Sequence, residues 1–560
     1  MNQYKIIVFL LVLWSLPIFG QDEVEDEPDQ EIQTEVIEVV KLYEPILAKA
    51  QKINISPDLV KIETEPPTFN KPDDYDVPNR FLTLSFEPPT LRPLAIKRQR
   101  KADLSKFWLK AGFGNYLSPY LDLAVSSTRP NNNIIGFNVK HHSAFPNNLE
   151  YQHFMTNLGR IFGKFYVNNG YIKVNLDYEH DRYHRYGLGL TDSLDLPSVL
   201  DSRVTYQAIP FSFEFGNTKT NRAQIDHKTK IDYHYFWSNE EIKEHNVSLT
   251  TGLYKNWDNG YSLGLDLYTD FTNLSDSINY GADATELLAL NASPNLSVRK
   301  PFGEVRVGVN LLVDEDDFQA SPLIYAAINV LEKYLTVYGG WDRKILKNNF
   351  RSLTKANPYL GTLQPTLNNS IKESRYIGFK GNLGANLMFD IKGGQFWTTK
   401  QVLFVNQPIT SMNMLATYDS LTTAVGGNLT LAYQIGKKGT AQLKTSYYNY
   451  TTTDTLNNAY AWNLPNLQVN FAIDYNITER FHIGADIILL NGIIAKNPVD
   501  FGSKIDLTNI TDINLSADYR VLKNLYIYCE VNNIANQKYQ RFYLYPTYGI
   551  NFHGGIILRF

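Results

Sequence analysis

Tyr548-Gly549-Ile550-Asn551-Phe552-His553-Gly554-Gly555-Ile556-Ile557-Leu558-Arg559-Phe560 is the stretch that decides the fold. Tyr548, Ile550, Phe552, Gly554, Ile556, Leu558 and Phe560 share one face of an extended chain, and Gly549, Asn551, His553, Gly555 and Arg559 share the other. Ile557 is the one lapse. A soluble sheet rarely finishes on so exposed an apolar edge. A closed barrel in lipid needs this pattern, because one face meets acyl chains and the other meets the lumen.

The alternation continues upstream. Val305, Val307, Val309, Leu311 and Val313 alternate with Glu304, Arg306, Gly308 and Asn310. Leu467, Val469, Phe471, Ile473 and Tyr475 alternate with Asn466, Gln468, Asn470 and Asp474. Period two sustained from residue 104 to 560 predicts strands throughout. Beyond the first 20 residues no apolar run is long enough for a membrane helix, so strands must do the spanning.

Connection lengths give a second test. Short links fall near 168–170, 257–260, 300–303, 332–333, 437–439 and 522–523. Long links fall around 181–199, 272–291, 345–374, 400–416, 451–461, 491–504 and 535–547. The two kinds alternate, as they do between the periplasmic and outer sides of such barrels. The expected architecture is all-β: a transmembrane antiparallel β-barrel of about 22 strands (about 16–22 as a range), with both termini periplasmic.

Three segments follow. Residues 1–20 read as a signal peptide: Lys5, then the apolar run Ile6–Trp14, then a cleavage region ending before Gln21. Residues 21–103 are an acidic, Pro-rich periplasmic or lumenal segment, opening on Asp22-Glu23-Val24-Glu25-Asp26-Glu27-Pro28-Asp29. Residues 104–560 are the barrel. The destination is the outer membrane of a Gram-negative cell. A net charge of −4 argues against nucleic acid as a partner. The single cysteine, Cys529, sits among Leu525, Ile527 and Val531 and reads as an inert packing residue.

Glu530-Val531-Asn532-Asn533-Ile534-Ala535-Asn536-Gln537-Lys538-Tyr539, then Tyr545-Pro546, then Gly554 to Phe560, resembles the last hairpin of TonB-dependent receptors. In that family an Asn-rich corner of the NL-x-NQKY type leads into a final strand ending in Arg-Phe. The stretch Asn466–Ala485 is similar to their C-terminal hairpins, and the Tyr/Asn-rich style is similar to Bacteroidota proteins. The resemblance covers about the last hundred residues and implies solute uptake across the outer membrane. It departs from the family in one respect. Those receptors carry a plug domain, and residues 21–103 contain no recognisable one. That leaves two alternatives open: a non-transporting accessory barrel of an outer-membrane assembly or secretion complex, and a passive porin. A porin wants a constriction loop folded inward, and residues 345–374 are the only loop long enough.

Candidate sites are few. Thr34, Val36, Ile37, Val39 and Val40 form a β-prone run that resembles a TonB box, the peptide that adds a strand to an energy-coupling protein. Phe560, at the lipid-facing parity, is the expected signal to the barrel-assembly machinery. Asp314, Asp316 and Asp317 could offer hard oxygen ligands to a Ca²⁺, although no Gly or downstream Glu completes a loop pattern, and a solvated acidic loop explains them as well. His180 and His184 share a face but lack the further ligands of a tetrahedral site. No nucleophile, base and acid set emerges, so no enzyme, cofactor or metal is expected.

Overall fold

The computed structural model describes residues 105–560, apart from 128–132, 147–151, 188–201, 219–222, 276–284, 316, 333, 362–366, 408–411, 455–458 and 501–502. The alternating segments form β1 (Phe107–Gly114), β2 (Ser118–Ser126), β3 (Ile134–Ala144), β4 (Phe154–Val167), β5 (Gly170–His184), β6 (Arg203–Asn217), β7 (Ile225–Ser238) and β8 (Lys243–Asn256). There follow β9 (Tyr261–Ser275), β10 (Thr285–Lys300), β11 (Gly303–Asp314), β12 (Asp317–Leu331), β13 (Leu335–Leu346), helix α1 (Phe350–Ala356), β14 (Ser370–Leu383), β15 (Leu387–Asn406) and β16 (Met414–Ile435). The chain closes with β17 (Gly439–Thr451), β18 (Leu467–Asn476), β19 (Phe481–Asn491), β20 (Ile494–Lys496), β21 (Lys504–Asp506), β22 (Ile510–Leu522), β23 (Leu525–Asn532), β24 (Gln540–Phe542), β25 (Tyr545–Pro546) and β26 (Asn551–Arg559).

Setting aside the hairpins β20–β21 and β24–β25, the strands form one sheet of 22, and β1 pairs antiparallel with β26 to close it. Closure abolishes the unpaired edges that lipid could not satisfy. At the seam Gly112 faces Gly555. A Cβ on Gly112 would lie 2.6 Å from the Gly554 backbone carbonyl oxygen, so this close approach needs glycine. Lys110 bridges the seam inside, its Nζ 2.7 Å from Glu530 Oε1.

The two faces behave as the alternation requires. Ile161, Val307, Ile377, Val425 and Ile527 point outward, each more than half exposed. Lys110, Asp122, Asn138, Asn246 and Asp270 point inward. Ile557 is explained by its neighbours: it packs in the lumen against Trp108 and Tyr528. Cys529 lies on the outward apolar face, as its neighbours imply.

Both ends of the barrel chain, Phe107 and Phe560, meet at the rim that carries the short turns. The long connections gather at the opposite rim. Two sequence expectations need correction here. Three connections at the loop rim are tight: 115–117, 239–242 and 315–316. There the pairing runs to the strand ends, as with Asp314 opposite Asp317. Tyr548 does not share the outward face with Phe552, because β26 starts only at Asn551. It stacks instead on Tyr116, ring centres 5.1 Å apart.

Candidate functional site

The loop between β13 and β14 turns into the barrel. Asn349 starts it locally: its Oδ1 accepts the Ser352 N–H at 2.9 Å, an N-cap that begins helix α1. The helix ends before Pro358, since the residue preceding proline avoids helical geometry. Phe350, Leu353, Leu360 and Leu367 form its apolar side, all 2 % exposed or less. They pack on Val204, Tyr206, Phe236, Leu274 and Leu287, inward-facing residues of β6, β7, β9 and β10. A small apolar core thus lies inside the barrel mouth. Its far end pairs with β16 through a bridge from Leu360 to Met414.

Charged groups fix where this lid lands. Glu244 on β8 is fully buried and accepts from the Phe350 N–H at the helix start and from His234 Nε2 at 2.9 Å. A carboxylate at that position favours the helix N-terminus. Arg351 and Lys355 both reach Glu179 on β5, at 2.8 and 2.7 Å. Lys347 reaches Asp270 on β9 at 2.6 Å. Arg185 donates to the Leu360 carbonyl at 2.7 Å and pairs with Glu240.

The last loop locks over the lid. Tyr545 stacks on Tyr359 with ring centres 3.8 Å apart, and Tyr186 meets both edge-on. The Tyr186 hydroxyl donates to the Pro546 carbonyl at 3.0 Å and the Tyr545 hydroxyl donates to the Met412 carbonyl. Arg541 donates to the Asn463 carbonyl at 2.8 Å, which ties in the β17–β18 connection. Burial raises the Tyr186, Tyr359 and Tyr545 hydroxyls above the usual tyrosine range, so they stay protonated donors.

Between lid and wall lies a cavity of about 320 Å³ lined by Glu179, Asp181, Tyr183, Tyr206, Arg351 and Lys355, among others. A second, also about 320 Å³, is set in the wall of β13–β18 among Tyr338, Asp390, Lys392, Asn428, Lys444 and Asn470. Each combines aromatic faces, hydroxyls and charges of both signs, which suits a polar solute better than an apolar one.

The residues singled out in the sequence fare unevenly. Asp314 is buried in ion-pair contact with Lys400 at 3.3 Å and accepts from Asn369 Nδ2 at 3.1 Å. Asp317 accepts from Gln319 at 2.6 Å, and Asp316 lies outside the described residues. Among the described residues no group of His, Cys, Asp and Glu is placed to hold a metal. His184 Nδ1 is 3.0 Å from the His153 carbonyl. Phe560 is 59 % exposed at the short-turn rim, its ring 5.8 Å from that of Phe107. Thr34, Val36, Ile37, Val39 and Val40 lie outside the described residues. The lid anchors Glu179, Glu244 and Asp270 went unnoticed in the sequence. One signal pointed to them: residues 345–372 carry Lys347, Arg351 and Lys355 and no carboxylate.

No protein-family model and no curated protein matches the chain. Solved structures do. The FrpB iron transporter from Neisseria meningitidis superposes with a TM-score of 0.64 at 10% identity, covering 82% of each chain. The ferripyoverdine receptor of the outer membrane of Pseudomonas aeruginosa gives 0.58 at 12% identity, over 83% of this chain and 73% of that one. The copper transporter OprC gives 0.56 at 13% identity, over 82% of each. At such identities the likeness carries the fold alone: the closed barrel of this chain is similar to these structures.

Proposed function

We propose that this chain is an outer-membrane barrel that takes up a solute, with residues 347–361 and 367–369 as a lid over its outer mouth. The carrying observation is the lid itself, landed on Glu179, Glu244 and Asp270 across the lumen. An open diffusion channel has no use for a buried apolar core in its mouth. The neighbours support the reading: they are a ferripyoverdine receptor, a copper transporter and an iron transporter. Here the short-turn rim is periplasmic. Thr34, Val36, Ile37, Val39 and Val40 would pair with a TonB-type coupling protein by β-augmentation, which rests on main-chain hydrogen bonds. Phe560 would be read by the barrel-assembly machinery.

The test is growth of a strain lacking this chain in iron-limited and in copper-limited medium, complemented by the wild type or by an Ile37→Pro/Val39→Pro variant. Proline removes two donors without touching the barrel. Uptake reads as a growth defect that the wild type rescues and the double variant does not. A second reading, a passive porin, draws on the same inward loop, because a constriction also needs one. Steady open conductance of the purified wild type in planar bilayers would favour it and refute a closed lid. A partner lost from the double variant with no growth defect would favour an accessory barrel.

A further inference from the structure

Arg375 lies on the outward face of β14. The register places it on the side of Ile377 and Phe379, which are 58% and 44% exposed. Its guanidinium is held between two indoles, with Cζ 4.0 Å from the Trp341 ring and 4.6 Å from the Trp397 ring. Glu373 clamps it from the same strand: Arg375 Nε and Nη2 donate to Oε1 at 2.9 and 2.7 Å. The same carboxylate accepts from Trp341 Nε1 at 2.9 Å and from Arg343 Nη2. Two guanidiniums share one carboxylate, so the cluster keeps a positive charge.

Height matters. A tilted barrel strand climbs roughly 2.6 Å per residue, and the apolar band is about 25 Å tall. Arg375 stands eight residues above Leu383 at the short-turn end of β14, so it lies roughly 21 Å up, at the far border of that band. Tryptophan belts mark the same border. The cluster opens on a surface cavity of about 240 Å³ lined by Arg343, Glu373, Arg375, Trp397, Ile371 and Leu421. Two donors are uncommitted there. Arg343 Nε is buried with no partner, and Arg375, half exposed, has no partner for Nη1 among the described residues.

We propose that this cavity binds the phosphorylated sugar headgroup of an outer-leaflet lipid. Ile371 and Leu421 line the loop-rim side of the cavity, and the exposed Ile377 and Phe379 below Arg375 meet acyl chains. The two arginines donate to a phosphate, a geometry that guanidinium matches in bidentate fashion. The indoles fix Arg375 in place before the lipid arrives, so little side-chain entropy is lost on binding. Glu373 holds both guanidiniums, and Gln319 Oε1 accepts from Arg343 Nη1 at 2.9 Å.

The experiment uses the full chain, purified in detergent and confirmed as folded by heat-modifiable migration. Native mass spectrometry titrates it with bisphosphorylated lipid A, with lipid A stripped of both phosphates, and with inorganic phosphate. Bisphosphorylated lipid A should bind, Arg375→Gln should weaken that binding about tenfold, and Arg343→Gln should act in the same direction. Stripped lipid A should bind at least tenfold more weakly than the intact form. Equal affinity of folded Arg375→Gln and wild type overturns the proposal, as does equal affinity for stripped lipid. Inorganic phosphate binding as tightly as lipid A overturns the lipid as occupant.

Discussion

Phe350→Ala should open the lid and leave the barrel standing. Phe350 is 1% exposed in the core of the mouth and touches no inter-strand hydrogen bond. Phe→Ala in a packed core costs about 3–5 kcal/mol, and the low end applies because lumenal water can enter the vacated space. Each 1.4 kcal/mol is about tenfold in an equilibrium, so about 3 kcal/mol raises the open population roughly a hundredfold. Hydrogen exchange reads this directly, as faster exchange of the amides of 349–361 that hold α1 and the bridge to Met414. Planar-bilayer conductance reads it as a rise in open probability. The strand amides should keep their protection, because every barrel strand remains paired on both sides. Unchanged exchange in the lid would refute the idea that its apolar side holds it. Equal loss of protection in lid and strands would show that the lid is no separate unit.

Four further outcomes follow from the same geometry. Arg351→Glu puts like charges against Glu179 and should speed lid exchange, and the swap Arg351→Glu with Glu179→Arg should recover most of the loss. Burial raises the hydroxyls of Tyr186, Tyr359 and Tyr545, so the closed mouth favours their neutral form: lid protection should hold below the ordinary tyrosine value of about 10 and fall as pH rises past it, as hydrogen exchange across a pH series would show. Cys529, the only thiol, faces lipid and should resist a charged maleimide in intact membranes, then react after boiling in SDS. Phe560→Asp should lower the amount of folded barrel in the membrane more than it lowers the heat-modification temperature in detergent, as gel migration of both fractions would show.

The barrel was legible because its physics is local. Each strand faces two environments, so residues such as Val305–Val313 record both in alternation. The lid was not legible for the opposite reason. Arg351 and Glu179 are 172 residues apart, and the Glu244 bond to Phe350 spans 106. No periodicity encodes such pairs. What was read was a loop long enough to fold inward; the Asn349 cap and the Pro358 stop went unread. Parity turns Asp314 into the lumen, where it is in ion-pair contact with Lys400, a pairing 86 residues apart that alternation does not record. Tyr548 failed as a lipid-facing residue because alternation can outrun the ladder: its ring is held by Tyr116 and its hydroxyl by the Gln152 carbonyl.

Which force places the lid, and which one holds it, can be separated by magnitude. The loop leaves the wall where Lys344 stands opposite Lys372, and it carries only positive charge itself. Like charges at its root and the carboxylates Glu179, Glu244 and Asp270 across the lumen give it a direction. Exposed pairs are worth little: Lys355 is half exposed, and such pairs contribute about 0.2–1 kcal/mol and weaken with salt. Four buried apolar side chains contribute about 2–5 kcal/mol each on truncation. The apolar side therefore holds the lid and the charges choose its landing place. Raising salt should slow reclosure far more than it shifts the closed fraction, whereas truncating Leu353 or Phe350 should do the reverse.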